Sequence, residues 1–451
     1  MSTRTLARFV TDLRFDDLPP AVVERAKCHL LDGLGCLLAG TEAGPGRSAA
    51  AMVADFGTAS PQATIFTGNS RGAGRDAAFV NAMTLYSVGL NDIHKASVSH
   101  PGGCVIPVVL AMGEWQRLAG AELIVAMLAG YEVMGRVGRS IMPSHRTRGF
   151  HPTGTFGTFG AAAAAARLLQ FDAAQTANTL GIAGSQAAGL FEFHRDGALT
   201  MVFHAARAAQ NGIEAALLTK AGLTGPHTVL EGARGFCRAT SDVFDEAALT
   251  RELGGQFEIE ATSFRPYYGC SSTIAGSGAT AALVEELSIR SPDEVAAVEV
   301  RCHPVVARDN HEANPLTLLA ARLSMPFNIS LVLARGDVVT ADLTEADLQD
   351  ARIRSSLTRV NLVEDPAMPR FGCRVAIRLH DGRSAEQAVL TPGGDATNPL
   401  TWNDVVRKFQ RLTAVVMRPQ CAAPVIAAVQ ALEQTDGAVL AQRLREALYD
   451  G

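Results

Sequence analysis

From Pro19 to Thr240 apolar residues recur at helical spacing, and no strand–turn–helix alternation interrupts them. This constrains the fold more than any other feature of the chain. Pro19-Pro20 opens a run in which Val22, Val23, Ala26, Leu30, Leu31, Leu34, Leu37 and Leu38 mark one helix, with Gly40 as its end. Asp32, inside that run, reads as a hydrogen-bonded structural carboxylate rather than a catalytic one. Gly57–Phe66 is mixed and turn-like. Arg75–Val88, Ile106–Leu118 and Ala121–Gly138 continue as helices, and the segments GTFGTFGAAAAAARLL (154–169) and AGSQAAGLFEF (183–193) carry Ala/Gly-rich helical faces. Aromatic residues are only 6% of the chain, which favours closely packed helices.

The pattern changes near Ala261. Thr262–Ser272 is a loop signal and Ile274–Glu286 a helix. Glu294–Cys302 and Cys373–His380 alternate as half-buried strands, the latter followed by an Asp381-Gly382 turn and a strand-like Ala385–Leu390. Pro315–Leu333 and Glu345–Ser355 read as helices between them, and Trp402–Leu412 and Pro424–Leu448 return to helix. The 451 residues therefore divide into a large all-helical domain, 1–263 with 394–451, and a smaller α+β domain, 264–393. The fold class is mainly α.

A net charge of −5 and the lack of a basic, aromatic-interleaved stretch argue against nucleic acid as a partner. Apolar runs such as Val105–Met112 are too short to span a bilayer. The eight cysteines show no paired or zinc-ligand spacing, and the start MSTRTLARFVTDL lacks a signal-peptide pattern, so reduced thiols in a cytoplasmic protein and no metal site are expected. Lysine occurs at only four positions, 27, 95, 220 and 408; arginine carries most of the positive charge and suits a carboxylate ligand.

Four stretches could carry chemistry. Gly89–Glu114 packs Asp92, His94, Lys95 and His100 just before Pro-Gly-Gly and an apolar helix, whose exposed first amides would favour a substrate carboxylate. His151 and Thr153 precede a helix with glycines at every third residue. That spacing is not a dinucleotide loop; it lets another helix approach closely. His204, Arg207 and Asn211 share one face of a helix, which can line a cleft, face water or meet an oligomer partner. Arg265, Tyr267 and Cys270 place a carboxylate clamp, a phenol and a thiol on a constrained loop, where the tyrosines could equally be packing residues.

Taken in order, HPGGCVIPVVLAMGE, FHPTGTFGTFGAAAAAARLL, FHAARAAQNGIEAALL, GLTGPHTVLEG, FRPYYGCSST, NPLTLLAARLSMPF and NPLTWNDVVRKFQRL resemble the MmgE/PrpD family over essentially the whole chain. Its members include 2-methylcitrate dehydratase, cis-aconitate decarboxylase and iminodisuccinate epimerase. The resemblance implies two domains with a cleft between them, a homodimer, and chemistry on small polycarboxylates with no metal or organic cofactor. His100 matches the family's active-site histidine, His151 that of its HPTG motif, and Asp92 one acid of its D-x-D-D element, in which Gly89 and Asn91 replace two others. His204 and Arg207 keep the F/L-H-A-G-R element, while Met201 stands where a lysine often precedes it. Arg265 stands for the lysine of the K-P-Y-P loop, and Cys270 and Ile274 where some members have histidines. His100, His151 and Asp92, with Lys95 and Tyr267 behind them, are the implied catalytic set; Arg265, His204, Arg207, Thr153 and Cys270 are the implied substrate contacts. These differences favour a relative acting on another acid over an ordinary methylcitrate dehydratase or cis-aconitate decarboxylase. The expected activity is a dehydratase-like lyase moving a proton beside a carboxylate. The alternatives are an isomerase or epimerase of an iminodisuccinate-like dicarboxylate, and a non-catalytic ligand-binding descendant.

Overall fold

The structure, a computed structural model, describes residues 1–57, 60–336 and 343–450. It divides into two compact units, Met1–Ser263 with Trp402–Gly451, and Phe264–Thr401. The first unit is built from helices. Pro20–Ala39 begins with proline at its first turn and is buried along nearly all its length. The helices Pro101–Gln116, Gly120–Ile141, Pro152–Leu168 and Thr200–Lys220 pack around one another. Pro152–Leu168 lies at their centre, with Ala161 to Ala166 all fully buried.

The every-third-residue glycines do what their spacing predicts. A β-carbon on Gly160 would lie 2.8 Å from the Gly130 carbonyl oxygen, and one on Gly157 would lie 2.5 Å from Cys104 Sγ. Both distances are shorter than van der Waals contact, so only glycine permits this helix spacing. Gly40 ends the Pro20–Ala39 helix as expected, but by another geometry. Its backbone is right-handed rather than a left-handed cap, and a β-carbon there would collide with the Thr84 carbonyl. Close approach, not termination, requires the glycine.

Two short ladders interrupt the helical unit. β1 (Ala63–Ile65) pairs with β2 (Ser70–Gly72), so the turn-like reading of Gly57–Phe66 gives way to a strand at its end; residues 58 and 59 of that stretch lie outside the described residues. β3 (Ile93–His94) pairs with β4 (Thr262–Ser263). Strands of two or three residues are too short to show an alternation. The Ala/Gly-rich segment 183–193 is not one helix: Ala173–Gly184 ends, and an irregular path follows to the short Phe193–Asp196 turn of helix. Pro424 does not open the C-terminal helix but lies inside Pro419–Gln430, and a second helix, Gly437–Tyr449, follows.

The second unit is α+β. β5 (Val295–Cys302), β6 (Val360–Glu364), β7 (Cys373–Leu379) and β8 (Ser384–Val389) form a sheet in the order β6-β5-β7-β8, with β5 and β6 parallel and the other pairs antiparallel. β6 carries no clear alternation in sequence. Val298, Val300, Val375 and Ile377 from the sheet bury against Ala279 and Leu283 of Ile274–Glu286 and Ile329 of Met325–Arg335. The run Pro315–Leu333 breaks into Leu318–Leu323 and Met325–Arg335, because Ser324 takes an extended backbone before Pro326 and caps the second helix through Phe327 N. No described helix is long and apolar enough to cross a membrane.

Candidate active site

The stretch that begins at Gly89 folds back on itself. Gly89 has a positive φ of 69°, and His94 and Ser99 exchange backbone hydrogen bonds across a tight turn that holds Lys95. Val98 completes that turn at φ 50°, a left-handed conformation that costs a β-branched residue energy. The turn delivers His100 to the N-cap of Pro101–Gln116, at the start of an apolar buried helix.

His100 is half-buried, and its Nδ1 lies 2.5 Å from the backbone carbonyl of Asp92. A carbonyl oxygen can only accept, so Nδ1 carries the proton and Nε2 of the neutral ring keeps its lone pair. Its ring also meets the edge of Tyr86 at 5.4 Å between centroids. Asp92 acts here through its main chain. Its carboxylate is buried and engaged elsewhere: Oδ1 accepts from Gly102 N at 3.0 Å, and Oδ2 accepts from the Tyr131 hydroxyl at 2.6 Å and lies 3.2 Å from His29 Nδ1.

This overturns one expectation. By sequence, the amides at the start of the His100 helix are the expected seat for a substrate carboxylate. Pro101 has no N–H, Gly102 N is taken by Asp92, Gly103 N by the His100 carbonyl, and His100 N by Thr153 Oγ1. The chain's own carboxylate fills the place an anion would occupy. Thr153 is fully buried, and its hydroxyl also accepts from Tyr86, so it links the His100 turn to the helix Pro152–Leu168.

At the mouth of that helix His151 is the N-cap. It is buried, and its Nδ1 lies 3.0 Å from Nδ1 of His204, so one ring donates and the other accepts. Burial first, then the charges of His204 and Arg146, push the His151 pKa down to about 3; burial also lowers that of His204. Both rings are therefore neutral near pH 7. His204, Arg207 and Asn211 do share one face, and that face lines a concavity of ≈ 710 Å³ together with Gln186, Gly189 and Phe193. Arg207 donates to Gln210, which in turn donates to Asp76.

Of the layer beneath, sequence reasoning named only His94 and Asp32. His94 Nε2 lies 2.9 Å from Glu258, which also pairs with Arg139 at 2.7 Å. Burial raises the Glu258 pKa, but His94 and the arginines outweigh it and leave the group below its ordinary value. Glu132, held by Arg136 Nε at 2.6 Å and Glu258 N at 2.8 Å, is raised by burial to about 7. Asp32, read as structural, accepts from Lys408 Nζ, which also donates to the Leu90 carbonyl at 2.7 Å. The polar members at 29, 32, 131, 132 and 136 lie within apolar helical runs, so the only signal was a charge at a core position.

In the second unit Arg265 is buried. Tyr267 packs beside the apolar cluster of Tyr268, Phe327 and Leu331, and a β-carbon on Gly278 would lie 3.3 Å from its ring. Cys270 N donates to the Arg322 carbonyl, and Asn310 Nδ2 lies 3.7 Å from its Sγ. All eight cysteines are free thiols. Among the described residues no His/Cys/Asp/Glu group is arranged to hold a metal ion, the run RDNHEANP (308–315) included.

A helical unit with two histidines at helix mouths, followed by a small α+β unit, defines a two-domain protein of the MmgE/PrpD kind. The MmgE/PrpD N-terminal domain matches residues 4–247 and the C-terminal domain residues 270–434, and the chain belongs to this family. A cis-aconitate decarboxylase-like protein of Aspergillus oryzae is 26% identical over 448 residues, covering 92% of this chain and 91% of its own. Human cis-aconitate decarboxylase is 26% identical over 434 residues, covering 90% of this chain and 87% of its own. The Aspergillus terreus cis-aconitate decarboxylase is 24% identical over 445 residues, covering 92% and 89%.

Proposed function

We propose that this chain is a lyase that moves a proton at the carbon beside a carboxylate of a small di- or tricarboxylic acid. The observation that carries this reading is His100, half-buried at a helix mouth with its Nδ1–H bound to the Asp92 carbonyl, the tautomer in which Nε2 is the basic nitrogen of the neutral ring. A carbon acid of this kind is very weakly acidic, so a fixed base within about 3 Å and a counter-charge for the developing enolate are both required. Arg207, on the His204 face, is the proposed carboxylate holder, and Arg265 keeps the same proposed role from its motif alone, arginine's planar fork being suited to that task. Lys95, Tyr267 and Cys270 are secondary contacts in this reading, and His151 supports His204. Proton acceptor and counter-charges all come from the chain, so the proposed reaction uses no metal or organic cofactor, and activity is expected to survive chelation.

Relatives bearing the name cis-aconitate decarboxylase favour a lyase over an epimerase. In dehydration the base takes the proton beside the carboxylate and the hydroxyl leaves as water; in decarboxylation the bond to a carboxylate breaks, CO2 leaves and the resulting carbanion takes a proton, so the same histidine would act as base in one and, protonated, as acid in the other. Proton NMR of the purified protein with a panel of di- and tricarboxylates in D2O, cis-aconitate and hydroxy-acids included, decides among them. Alkene signals with or without loss of carbon dioxide are expected. Deuterium wash-in at constant mass would point to epimerisation instead. No change with any acid on the panel would overturn the lyase reading.

A further inference from the structure

The helix Pro101–Gln116 ends at a second polar place, built from three separate parts of the helical unit. Glu114, in its last turn, is buried, and a buried carboxylate must be matched. Thr64 of β1 donates to it through N at 2.7 Å and Oγ1 at 2.9 Å, and Arg71 of β2 through its guanidinium. Arg71 also donates to the Gln62 carbonyl at 3.1 Å, so its fork is held at two points. Two more arginines arrive from elsewhere. Arg117 closes the helix with a left-handed backbone, φ 52°, a conformation usually left to glycine. Arg445 comes from Gly437–Tyr449, which packs tightly on the same helix end: a β-carbon on Gly437 would lie 2.4 Å from the Gly113 carbonyl carbon.

Gln62, Arg71, Trp115, Arg117, Gln442 and Arg445 line one cavity of ≈ 440 Å³ around Glu114. Arg71 neutralises that carboxylate. Among the described residues no acid forms an ion pair with Arg117 or Arg445, and Glu446, next to Arg445, accepts instead from Gln442 at 2.7 Å and Arg443 at 3.1 Å. Three arginines against one carboxylate leave two positive charges facing one cavity, on a chain whose net charge is −5. Guanidinium forks pair with oxyanions, and a neutral or cationic ligand would leave both charges unmatched. We propose that this cavity binds a small anion of at least two charges, a phosphate compound or a dicarboxylate. Arg117 and Arg445 are its forks, Arg71 is a fixed third donor, and the Trp115 ring lies against its body. Sixteen helical residues separate the cavity from His100 by about 24 Å along the axis. The site is thus distinct from the proposed active site and independent of the lyase reading.

Trp115 is one of only two tryptophans, so Trp402→Phe leaves it as the sole indole reporter. The full chain with that change is titrated with pyrophosphate, with succinate and with chloride at matched ionic strength. The unmodified chain is titrated with the same anions by calorimetry, which reads binding even where Trp402→Phe folds poorly. A saturable change in Trp115 fluorescence is expected with pyrophosphate or succinate and not with chloride, at the same Kd as the calorimetry. Arg117 and Arg445 are exposed, so their replacement leaves the fold intact. Arg117→Gln and Arg445→Gln are each expected to weaken binding about fivefold, and the double variant about 25-fold. Arg374→Gln, which removes a surface arginine of the second unit, leaves the affinity unchanged. Saturation by pyrophosphate alone makes the occupant a phosphate compound, and saturation by succinate alone a dicarboxylate; each upholds the site if the double variant loses it. An affinity that the double variant keeps overturns the proposal, since the anion then binds elsewhere. So does the absence of saturable binding of either anion by both measurements.

Discussion

His100 and His151 begin with the same local punctuation and end with different chemistry. Each is the N-cap of a buried helix that opens with proline. His100 is half-buried with Nδ1 on a backbone carbonyl, so the tautomer of its neutral ring is fixed by an atom that can only accept. His151 is 4% exposed and faces another imidazole, whose proton is as movable as its own. Burial holds His151 neutral far below pH 7. In the proposed reading the first arrangement serves as a base; the second is a neutral hydrogen-bonding pair whose outer ring, His204, lines the concavity. What separates them is not the motif but the group that the rest of the fold brings to Nδ1.

Replacing each histidine in turn is the sharpest way to break this contrast. His100→Gln keeps a polar side chain of similar reach but removes the titrating nitrogen, and is expected to lower kcat by about 10³-fold, worth about 4 kcal/mol, with KM little changed. Steady-state kinetics on the acid identified by NMR checks this. A loss smaller than tenfold would remove His100 from the role of base.

The second contrast is in pH. The unfolded chain binds a proton at His151 near the ordinary histidine value of 6.5, whereas the folded protein refuses it until about 3. A histidine depressed in this way contributes nothing unfavourable above 6.5 and costs stability as pH falls from there towards 3. Between pH 7 and pH 5 the cost is about 2 kcal/mol. Urea unfolding at the two pH values measures it, and His151→Asn should remove that share of the slope. His145, buried between Thr155 and Thr240 and pushed by burial to about 4, adds a slope of the same sign that His151→Asn leaves in place. An unchanged slope in His151→Asn would mean that His151 accepts its proton in the folded state, and the contrast with His100 would fail.

The helical unit was legible because periodicity survives burial: Leu30, Leu34 and Leu38 mark a core face in any context, and the glycines at 154, 157 and 160 announced close helix contact. The strands of the second unit were legible where they alternate, as in Cys373–Leu379, and not in β6. The site was legible only as a set of residue types. His100, Asp92 and Thr153 were named from two separate motifs, but that Asp92 would use its carbonyl for His100 and its carboxylate for Gly102, Tyr131 and His29 depends on a reversal of chain direction at Val98, a residue with no turn propensity. Lys408 lies 318 residues from the carbonyl it anchors, and no local pattern connects them.

The smallest expected effect is at His204, and it tests whether the histidine pair is a wall or a second catalyst. His204 lines the concavity while His151 sits behind it, so removing the outer ring leaves one unpaired imidazole nitrogen beside the substrate and takes away one hydrogen bond. A neutral hydrogen bond of this sort is worth about 1 kcal/mol. His204→Asn is therefore expected to weaken kcat/KM about fivefold, mostly through KM, and to leave the acidic limb of the pH–rate profile where it was. His204→Asn and His151→Asn should also be non-additive, because each already breaks the same Nδ1–Nδ1 contact. A kcat loss at His204 as large as that at His100, or an acidic limb that moves with it, would make the pair the proton-transfer centre and reduce His100 to a helix cap.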